Sequence, residues 1–88
     1  MSQIILRLPA VMSRSGLGRS TIYARIADTR WPKPVRLGPR AIGWPSYEVD
    51  ALNAAHIAGQ SNDEIRTLVA KLEKARTTVV ARVLNQVV

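Results

Sequence analysis

Glycines and prolines divide the first 59 residues of the chain into short segments, and their spacing restricts the fold more than any other feature of the sequence. Gly16-Leu17-Gly18 interrupts one helical stretch. Trp31-Pro32-Lys33-Pro34 ends the next, because each proline pushes the residue before it toward extended geometry. Gly38-Pro39 then separates two short alternating runs, which predicts a β-hairpin.

The segments before the prolines predict two short helices. Pro9 suits the first turn of a helix, so the first helix is expected over 9–15 and ends at Gly16. The second begins with Arg19, and Ile22 and Ile26 form its inward face. The apolar run from residue 3 to residue 8 either adds a strand or packs on the domain.

Two further helices are expected after the hairpin strands 35–37 and 41–44. Ser46 is predicted to cap a third helix that Gly59 ends, with Val49, Leu52 and His56 along one side. Ser61 and Glu64 have the spacing of a capping box, which predicts a fourth helix over about 62–86. The predicted fold is mainly α with a small β-hairpin: a winged helix-turn-helix domain over 1–59, followed by a long C-terminal helix over 60–88 that serves as an oligomerisation element.

Positive charge is concentrated in the first half of the chain. Residues 1–47 contain eight basic side chains and one acidic side chain, whereas residues 48–88 contain five of each. A charge that served solubility alone would be spread over both halves. This one-sided excess is rich in arginine, whose planar fork binds phosphate or the edge of guanine through two hydrogen bonds. It therefore indicates a surface that meets a polyphosphate.

The order of the predicted elements indicates a DNA-binding domain: a helix, a tight turn, a second helix, a basic hairpin and a third helix. A recognition helix enters the major groove with its N-terminal residues toward the bases, and arginines of the hairpin reach the backbone or a minor groove. We expect Arg19, Arg36 and Arg40 to lie on one side of the molecule, spaced to straddle a groove. The expected recognition-helix contacts are Arg19, Ser20, Thr21, Tyr23 and Arg25. The expected contacts of the wing and its flanks are Arg14, Lys33, Arg36 and Arg40.

Several stretches resemble the AlpA family of phage and prophage transcriptional regulators. They are Leu6-Arg7-Leu8-Pro9-Ala10-Val11, Ser15-Gly16-Leu17, Arg19-Ser20-Thr21-Ile22-Tyr23 and the run from Trp31 to Trp44. The resemblance covers about residues 4–58. It implies a MerR-like winged helix related in shape to phage excisionases, and sequence-specific DNA binding through residues 19–23 and the wing residues 36–40.

The chain departs from the family pattern at three positions and in its last third. Gly18 stands where the family has a capping serine, Thr29 where it has a helix-ending glycine, and Leu52 where it has a tryptophan. The long helix after Gly59 has no counterpart in the family pattern, so its role has to be inferred from its own residues.

Alternative interpretations apply to several single residues. Gly16 and Gly18 fit a plain turn better than a phosphate loop, because the flanking strand and the Lys-Ser/Thr ending are missing. His56 is expected to be a packed or half-exposed residue rather than a ligand. Glu48 and Asp50 are explained by the helix dipole. Trp31 and Trp44 are expected in the core, while Tyr23 either packs or contacts a phosphate.

The last helix carries an apolar stripe that either folds back on its own domain or pairs with a second subunit. We favour pairing, because an apolar stripe this long is not expected to stay in water. The positions assigned to dimerisation are Ile65, Leu68, Leu72, Ala75, Val79 and Val83.

The leading hypothesis is a dimeric transcriptional regulator that binds double-stranded DNA. An excisionase-like factor that bends DNA and recruits an integrase rather than RNA polymerase is the first alternative, and an adaptor whose basic face meets an acidic protein is the second. An enzyme is not expected from one histidine, no cysteine and no converging acids. No cofactor or metal is expected. Without a long apolar stretch or a secretory signal, a cytoplasmic protein with no membrane partner is the default.

Overall fold

The computed structural model describes the backbone of residues 4–87 and the side chains of residues 4–84. The fold consists of four helices and a small antiparallel sheet, which confirms the mainly α fold expected from the sequence. The elements in chain order are β1 (Ile5–Leu6), α1 (Leu8–Ser15), α2 (Arg19–Ala27), β2 (Val35–Gly38), β3 (Ala41–Pro45), α3 (Ser46–Ile57) and α4 (Asn62–Val87).

The sheet has the order β1-β3-β2, so the hairpin receives a third strand from the N-terminal segment. Ile5 pairs with Pro45 and Leu6 with Trp44. Of the two expectations for this segment, a strand or simple packing, the strand is therefore confirmed. Gln3, the first residue of the predicted segment, lies outside the described residues. Gly43 lets β1 approach closely. A Cβ at position 43 would lie 2.5 Å from Cγ2 of Ile5 and 2.9 Å from the carbonyl oxygen of Leu6.

The core lies between the sheet and the helices. It contains Val11 of α1 and Ile22 of α2, together with both tryptophans and apolar residues of α3 and α4. Trp44 donates its indole N–H to the carbonyl of Pro32 at 2.8 Å, which anchors the proline segment to the hairpin. Trp31 and Trp44 are at most 1% exposed, so their predicted core position is confirmed.

The start of α3 differs from the prediction. Ser46 is the first helical residue and Pro45 occupies the N-cap position, with no side-chain cap. The reason is that β3 runs directly into α3, and the amide of Ser46 donates to the carbonyl of Ile4 at 2.7 Å. Residue 46 therefore belongs to the junction with the β1 segment. The predicted cap at Ser46 is wrong.

The start of α4 follows the prediction. The amide of Ser61 donates to Oε1 of Glu64 at 2.9 Å, and the amide of Glu64 donates to Oγ of Ser61 at 3.2 Å, which is a capping box. These hydrogen bonds, the one with the Ser61 amide first, lower the pKa of Glu64 below its ordinary value. Beyond the cap, Ile65 and Val69 are buried in the core, so the first turns of α4 pack on the winged helix-turn-helix elements.

A buried ion pair joins α3 to the middle of α4. The carboxylate of Glu48, fully buried, accepts hydrogen bonds from Nε of Arg76 at 2.9 Å and from Nη2 of Arg76 at 2.7 Å. Nη2 of Arg76 also donates to the carbonyl of Lys33 at 2.8 Å. The hydrogen bonds to Glu48 raise the pKa of Arg76 above its ordinary value. The helix dipole alone is therefore the wrong explanation for Glu48.

Thr29 adopts the left-handed conformation, with a φ of 60°, just after the C-cap residue Asp28 of α2. Left-handed geometry costs an L-residue about 1–2 kcal/mol. We therefore expect Thr29→Gly to raise the free energy of unfolding by about 0.5–1 kcal/mol, after the added freedom of glycine in the unfolded chain is subtracted. Urea unfolding followed by circular dichroism measures the change.

The matched control is Gly16→Ala, where φ is 73° and no atom lies within 4 Å of the added Cβ. Its effect comes from the backbone, and we expect a loss of about 1 kcal/mol. A loss of stability in Thr29→Gly would contradict the assignment of strain at Thr29.

Removing one partner of the Glu48–Arg76 pair leaves a charge buried without compensation. We expect Arg76→Met to lower the free energy of unfolding by about 3–5 kcal/mol, and the double variant Glu48→Leu/Arg76→Met to recover most of that loss. Arg66→Met is the control, because Arg66 makes half-exposed ion pairs with Asp28 and Asp63 that are worth about 1 kcal/mol or less. If Arg76→Met and Arg66→Met lower the free energy of unfolding equally, burial of Glu48 does not increase the cost of removing its partner.

Candidate nucleic-acid interface

The turn between α1 and α2 depends on two glycines. Gly16 ends α1 in the left-handed region, and its amide donates to the carbonyl of Met12 at 2.9 Å. Gly18 then occupies the N-cap of α2 with extended geometry and provides no side-chain cap. The first amides of α2, which have no partner within the helix, lie in the exposed stretch 19–21. The segment forms a tight turn, as the plain-turn interpretation predicts.

One face of α2 packs on the core and the other is exposed. Ile22 is buried and Ile26 packs against the core. Arg19, Ser20 and Thr21 are exposed in the first turn, and the ring of Tyr23 is 39% exposed. The guanidinium carbon of Arg19 lies 5.8 Å from the centre of the Tyr23 ring, which is within cation–π range. The ring of Tyr23 therefore lies beside the arginine at the start of α2.

Arg25 lies in the last turn of α2 and is half-buried. Its Nη1 lies 3.1 Å from Nε2 of His56 on α3. Arginine has no acceptor, so Nε2 must be the unprotonated nitrogen in this hydrogen bond. Burial, followed by the charges of Arg25 and Arg30, lowers the pKa of His56 below its ordinary value, so the ring is neutral at pH 7.

The hairpin β2–β3 turns tightly at Pro39 and Arg40. Arg36 pairs with Ile42 and Gly38 with Ala41, so Leu37 is an extra residue that forms a bulge. Bulges bend a strand and increase its twist. Arg36 and Arg40 are both exposed. The hairpin thus presents two arginines, one on a strand and one in the turn.

The backbone of Lys33, at the entrance to β2, is held by α4. Its amide donates to Oε2 of Glu73 at 2.8 Å, and its carbonyl accepts from Nη2 of Arg76 at 2.8 Å. The Lys33 side chain is exposed. The entrance to the hairpin is therefore fixed by the C-terminal helix.

A shallow pocket of about 390 Å³ lies where α1, α2 and α3 meet. Its polar lining includes Arg14 of α1, Arg25 of α2, and Asn53 and His56 of α3. Asn53 donates its amide to the carbonyl of Arg14 at 3.0 Å, and Arg14 lies 3.7 Å from Asp50, both side chains being about half exposed. Two arginines and a histidine therefore converge on one concave surface.

Other charged side chains pair with one another at the C-terminal end of α2. Asp28 accepts hydrogen bonds from Arg30 and Arg66, and these, Arg30 first, hold the pKa of Asp28 below its ordinary value. Among the described residues, no group of three histidine, cysteine or acidic side chains comes together as a metal site requires. None of the helices within residues 4–87 has the length and apolarity of a membrane span.

The structure brings some of the predicted site residues into contact and leaves others separate. Arg19 meets Tyr23, while Arg14 and Arg25 share the pocket. That Arg19, Arg36 and Arg40 straddle one groove stays a prediction. Sequence reasoning missed His56 and Asn53 as neighbours of the basic residues. No sequence signal identifies the Arg25–His56 contact, because its partners are 31 positions apart.

The six positions assigned to dimerisation differ in burial. Ile65 is 2% exposed and belongs to the core, and Leu68 and Leu72 pack against that core. Ala75 and Val79 are half-buried, whereas Val83 is 49% exposed. Val80 and Leu84, neighbours of the predicted stripe, are each 59% exposed. Among the described side chains of α4, the exposed large apolar ones are thus Val80, Val83 and Leu84.

Comparison with known proteins identifies the family. The family model of the prophage CP4-57 regulatory protein (AlpA) matches residues 4–52. The chain belongs to the AlpA family. The matched part contains β1, α1, α2, the hairpin and the first half of α3, whereas α4 lies outside it.

Two relatives of this AlpA-family chain are informative. It is 46% identical over 55 residues to the uncharacterized protein ORF88 of Enterobacteria phage P4, and the match spans 62% of each chain. It is 40% identical over 52 residues to the DNA-binding transcriptional activator AlpA of Escherichia coli K12, a match that spans 52% of this chain and 74% of the activator. No solved structure matches the chain significantly.

Proposed function

We propose that this protein is a transcriptional regulator of phage or mobile-element type that binds specific sequences in double-stranded DNA. In this proposal α2 enters the major groove, and the hairpin β2–β3 contacts the backbone or the adjacent minor groove. The observation that supports this proposal most directly is the start of α2. It is exposed, it has no side-chain cap, and its Arg19 lies in cation–π contact with Tyr23. A relative from E. coli is a DNA-binding transcriptional activator, which supports the same role.

The recognition helix supplies different kinds of contact at different positions. Arg19 suits the O6/N7 edge of guanine, which it binds with two hydrogen bonds. Ser20 and Thr21 are exposed in the same turn and can hydrogen-bond to a base or a phosphate. The free amides at the start of α2 favour a phosphate, because the positive end of the helix dipole lies there.

The basic residues of the hairpin and its flanks supply sequence-independent contacts. Arg36 and Arg40 are exposed on β2 and in its turn, and the exposed side chain of Lys33 precedes them. Arginine and lysine at phosphates contribute affinity through counterion release. We assign these three residues, with Arg14, to the DNA backbone. The proposed chemistry is binding through hydrogen bonds and charge.

We further propose that the protein is a homodimer that pairs through the last turns of α4. Val80, Val83 and Leu84 share one side of the helix, because they are three and four positions apart. They are about half exposed or more, unlike Ile65 at the start of the same helix. A second copy of this apolar surface is its simplest cover, and it would place two recognition helices on one DNA molecule.

An excisionase-like role remains the alternative within the same fold. A regulator that pairs through α4 places its two domains about a twofold axis and prefers inverted half-sites. An architectural factor that recruits an integrase stacks on direct repeats. DNA fragments selected from a random pool distinguish the two roles. Inverted half-sites favour a regulator that acts with RNA polymerase, and direct repeats favour an architectural factor that acts with an integrase.

Arg19 and Arg40 are predicted to act differently on DNA. With a selected duplex, we expect Arg19→Ala to weaken binding by about 1–3 kcal/mol and to relax the preference at one base pair. We expect Arg40→Ala to weaken the selected and a shuffled duplex equally and to reduce the salt slope by about one. Fluorescence anisotropy at several salt concentrations measures both effects.

For the unmodified protein, about six phosphate contacts predict that log affinity falls with log salt concentration at a slope of about −5. Lys74→Ala is the control, because it removes an exposed positive charge on α4 that is not assigned to a DNA contact. A slope near zero, or better binding to an acidic peptide than to duplex DNA, would reject the DNA-binding proposal and favour a protein-interaction adaptor.

The dimer is tested by a charge on the exposed apolar end of α4. We expect Val83→Glu to shift the protein from dimer to monomer and to raise the dimer dissociation constant at least tenfold, because burial of each such side chain contributes about 1.5–3 kcal/mol. Sedimentation equilibrium measures the mass. Arg82→Glu, at the adjacent exposed position, controls for the added charge. A wild-type protein that is still monomeric at about 100 µM, which limits the free energy of association to about 5.5 kcal/mol, would reject the dimer.

A further inference from the structure

The pocket between α1, α2 and α3 has a composition that the recognition helix and the hairpin do not explain. Arg14, Arg25 and His56 line it from three different helices, together with Asn53. The positive charges of Arg14 and Arg25 repel each other, and an anion in the pocket would offset that repulsion. Asp50, at 3.7 Å from Arg14, is the acid that lies beside this group.

The position of the pocket relative to α2 suggests what it binds. Thr21 and Arg25 are four residues apart, so they lie on the same side of the helix. That side faces α3, because Arg25 contacts His56 there. An α-helix is about 10–12 Å in diameter and the major groove is about 12 Å wide, so the groups beside a recognition helix face the phosphates that border the groove.

We propose that Arg25 and His56, with Arg14, form a binding site for one phosphate of the DNA backbone at the edge of the major groove. This proposal rests on the proposed function and adds a contact from α3, which lies beyond the recognition helix and the hairpin. In the structure, Arg25 donates to Nε2 of His56 across 3.1 Å. Arg25 is a donor, and Nε2 of His56 becomes a second donor when it is protonated, so the two groups that a phosphate needs are already adjacent.

The hydrogen bond between Arg25 and His56 has a direct consequence for protonation. Nε2 accepts from Arg25, so a proton on Nε2 breaks this bond and turns both groups toward an external acceptor. A phosphate would then accept from Arg25 and from Nε2 of His56 together. Binding of the phosphate and protonation of His56 are thus coupled, and each favours the other.

The other charged groups near His56 determine the direction of the effect in the free protein. They are Arg14 on α1, Arg25 on α2, Arg30 after α2 with its partner Asp28, Arg66 of α4 bound to the same Asp28, and Asp50 on α3. Burial and the charges of Arg25 and Arg30 lower the pKa of His56 below its ordinary value of 6.5. A phosphate in the pocket opposes these charges and raises that pKa.

The chain contains one histidine, so its ring protons can be followed by NMR without ambiguity. We expect the pKa of His56 to be higher in the complex with a 20-base-pair duplex of mixed sequence than in the free protein. A rise of about half a unit to one unit corresponds to binding that is tighter at pH 5.5 than at pH 8 by at most about three- to tenfold. Fluorescence anisotropy with the same duplex measures this change in affinity.

Two variants separate a phosphate site from a structural role of the histidine. His56→Gln retains an acceptor for Arg25 but does not titrate, so we expect it to remain folded and to bind the duplex with no change over this pH range. Arg25→Gln should weaken binding at every pH. Lys74→Gln, which removes an exposed positive charge on α4, should leave the pH dependence intact.

Stability provides a readout of opposite sign. In the free protein the pKa of His56 is lowered, so the contribution of this group to folding is present above the unfolded-chain value and is lost as pH falls through the folded value. The free protein should lose stability toward acid pH while duplex binding becomes tighter. A site that only packs a histidine predicts that stability and binding weaken together.

The outcomes distinguish the two proposals. Duplex binding with an unchanged or lowered pKa of His56, or with the same pH dependence in His56→Gln, overturns the phosphate site and leaves the proposed function intact. A chain that binds no duplex overturns both. Inorganic phosphate at 10 mM (a concentration on the order of weak anion binding) is the second probe. If it raises the pKa of His56 as far as the duplex does, the pocket is a site for a free anion and the DNA assignment is wrong.

Discussion

The ion pair between Glu48 and Arg76 is the constraint on which the arrangement of the last helix depends. Glu48 is fully buried, and both of its carboxylate oxygens accept hydrogen bonds from Arg76. A buried carboxylate without a partner costs several kcal/mol, so α4 must stay in the position that delivers Arg76. Arg76 also donates to the carbonyl of Lys33, and the amide of Lys33 donates to Glu73. One contact therefore joins α3, α4 and the entrance to the hairpin.

This contact crosses the limit of the family match. Glu48 lies within the matched residues 4–52, and Arg76 lies well beyond them. Ile65 and Val69, also outside the match, belong to the same core as Val11 and Ile22. The part of the chain that carries the proposed DNA contacts is thus completed by a helix that lies outside the family match. The predicted division at residue 59 separates sequence patterns, whereas the hydrophobic core includes residues on both sides of it.

Local signals predicted most of the elements, and contacts between distant residues account for what was missed. The turn at Gly16, the hairpin strands and the capping box at Ser61 are all encoded within a few neighbouring residues. The partner of Glu48 is 28 positions away. A weak signal did exist: Ile65, Val69, Leu72 and Arg76 follow each other at steps of four, three and four, so Arg76 continues the buried stripe. The Arg25–His56 contact had no such periodic signal.

The distribution of acids explains how a basic surface remains available. Each of the six acidic side chains has a partner within the protein: Asp28 binds Arg30 and Arg66, Glu48 binds Arg76, Asp50 lies beside Arg14, Asp63 binds Arg66, Glu64 binds the Ser61 amide, and Glu73 binds the Lys33 amide. Three of the basic partners stabilise the fold through these ion pairs, namely Arg30, Arg66 and Arg76. Within the described part of the chain, Arg19, Arg36 and Arg40 have no acidic partner. Their charge is therefore not neutralised by the protein itself. A polyanion that approaches α2 and the hairpin gains this attraction without first breaking an internal ion pair, which favours fast, salt-dependent association.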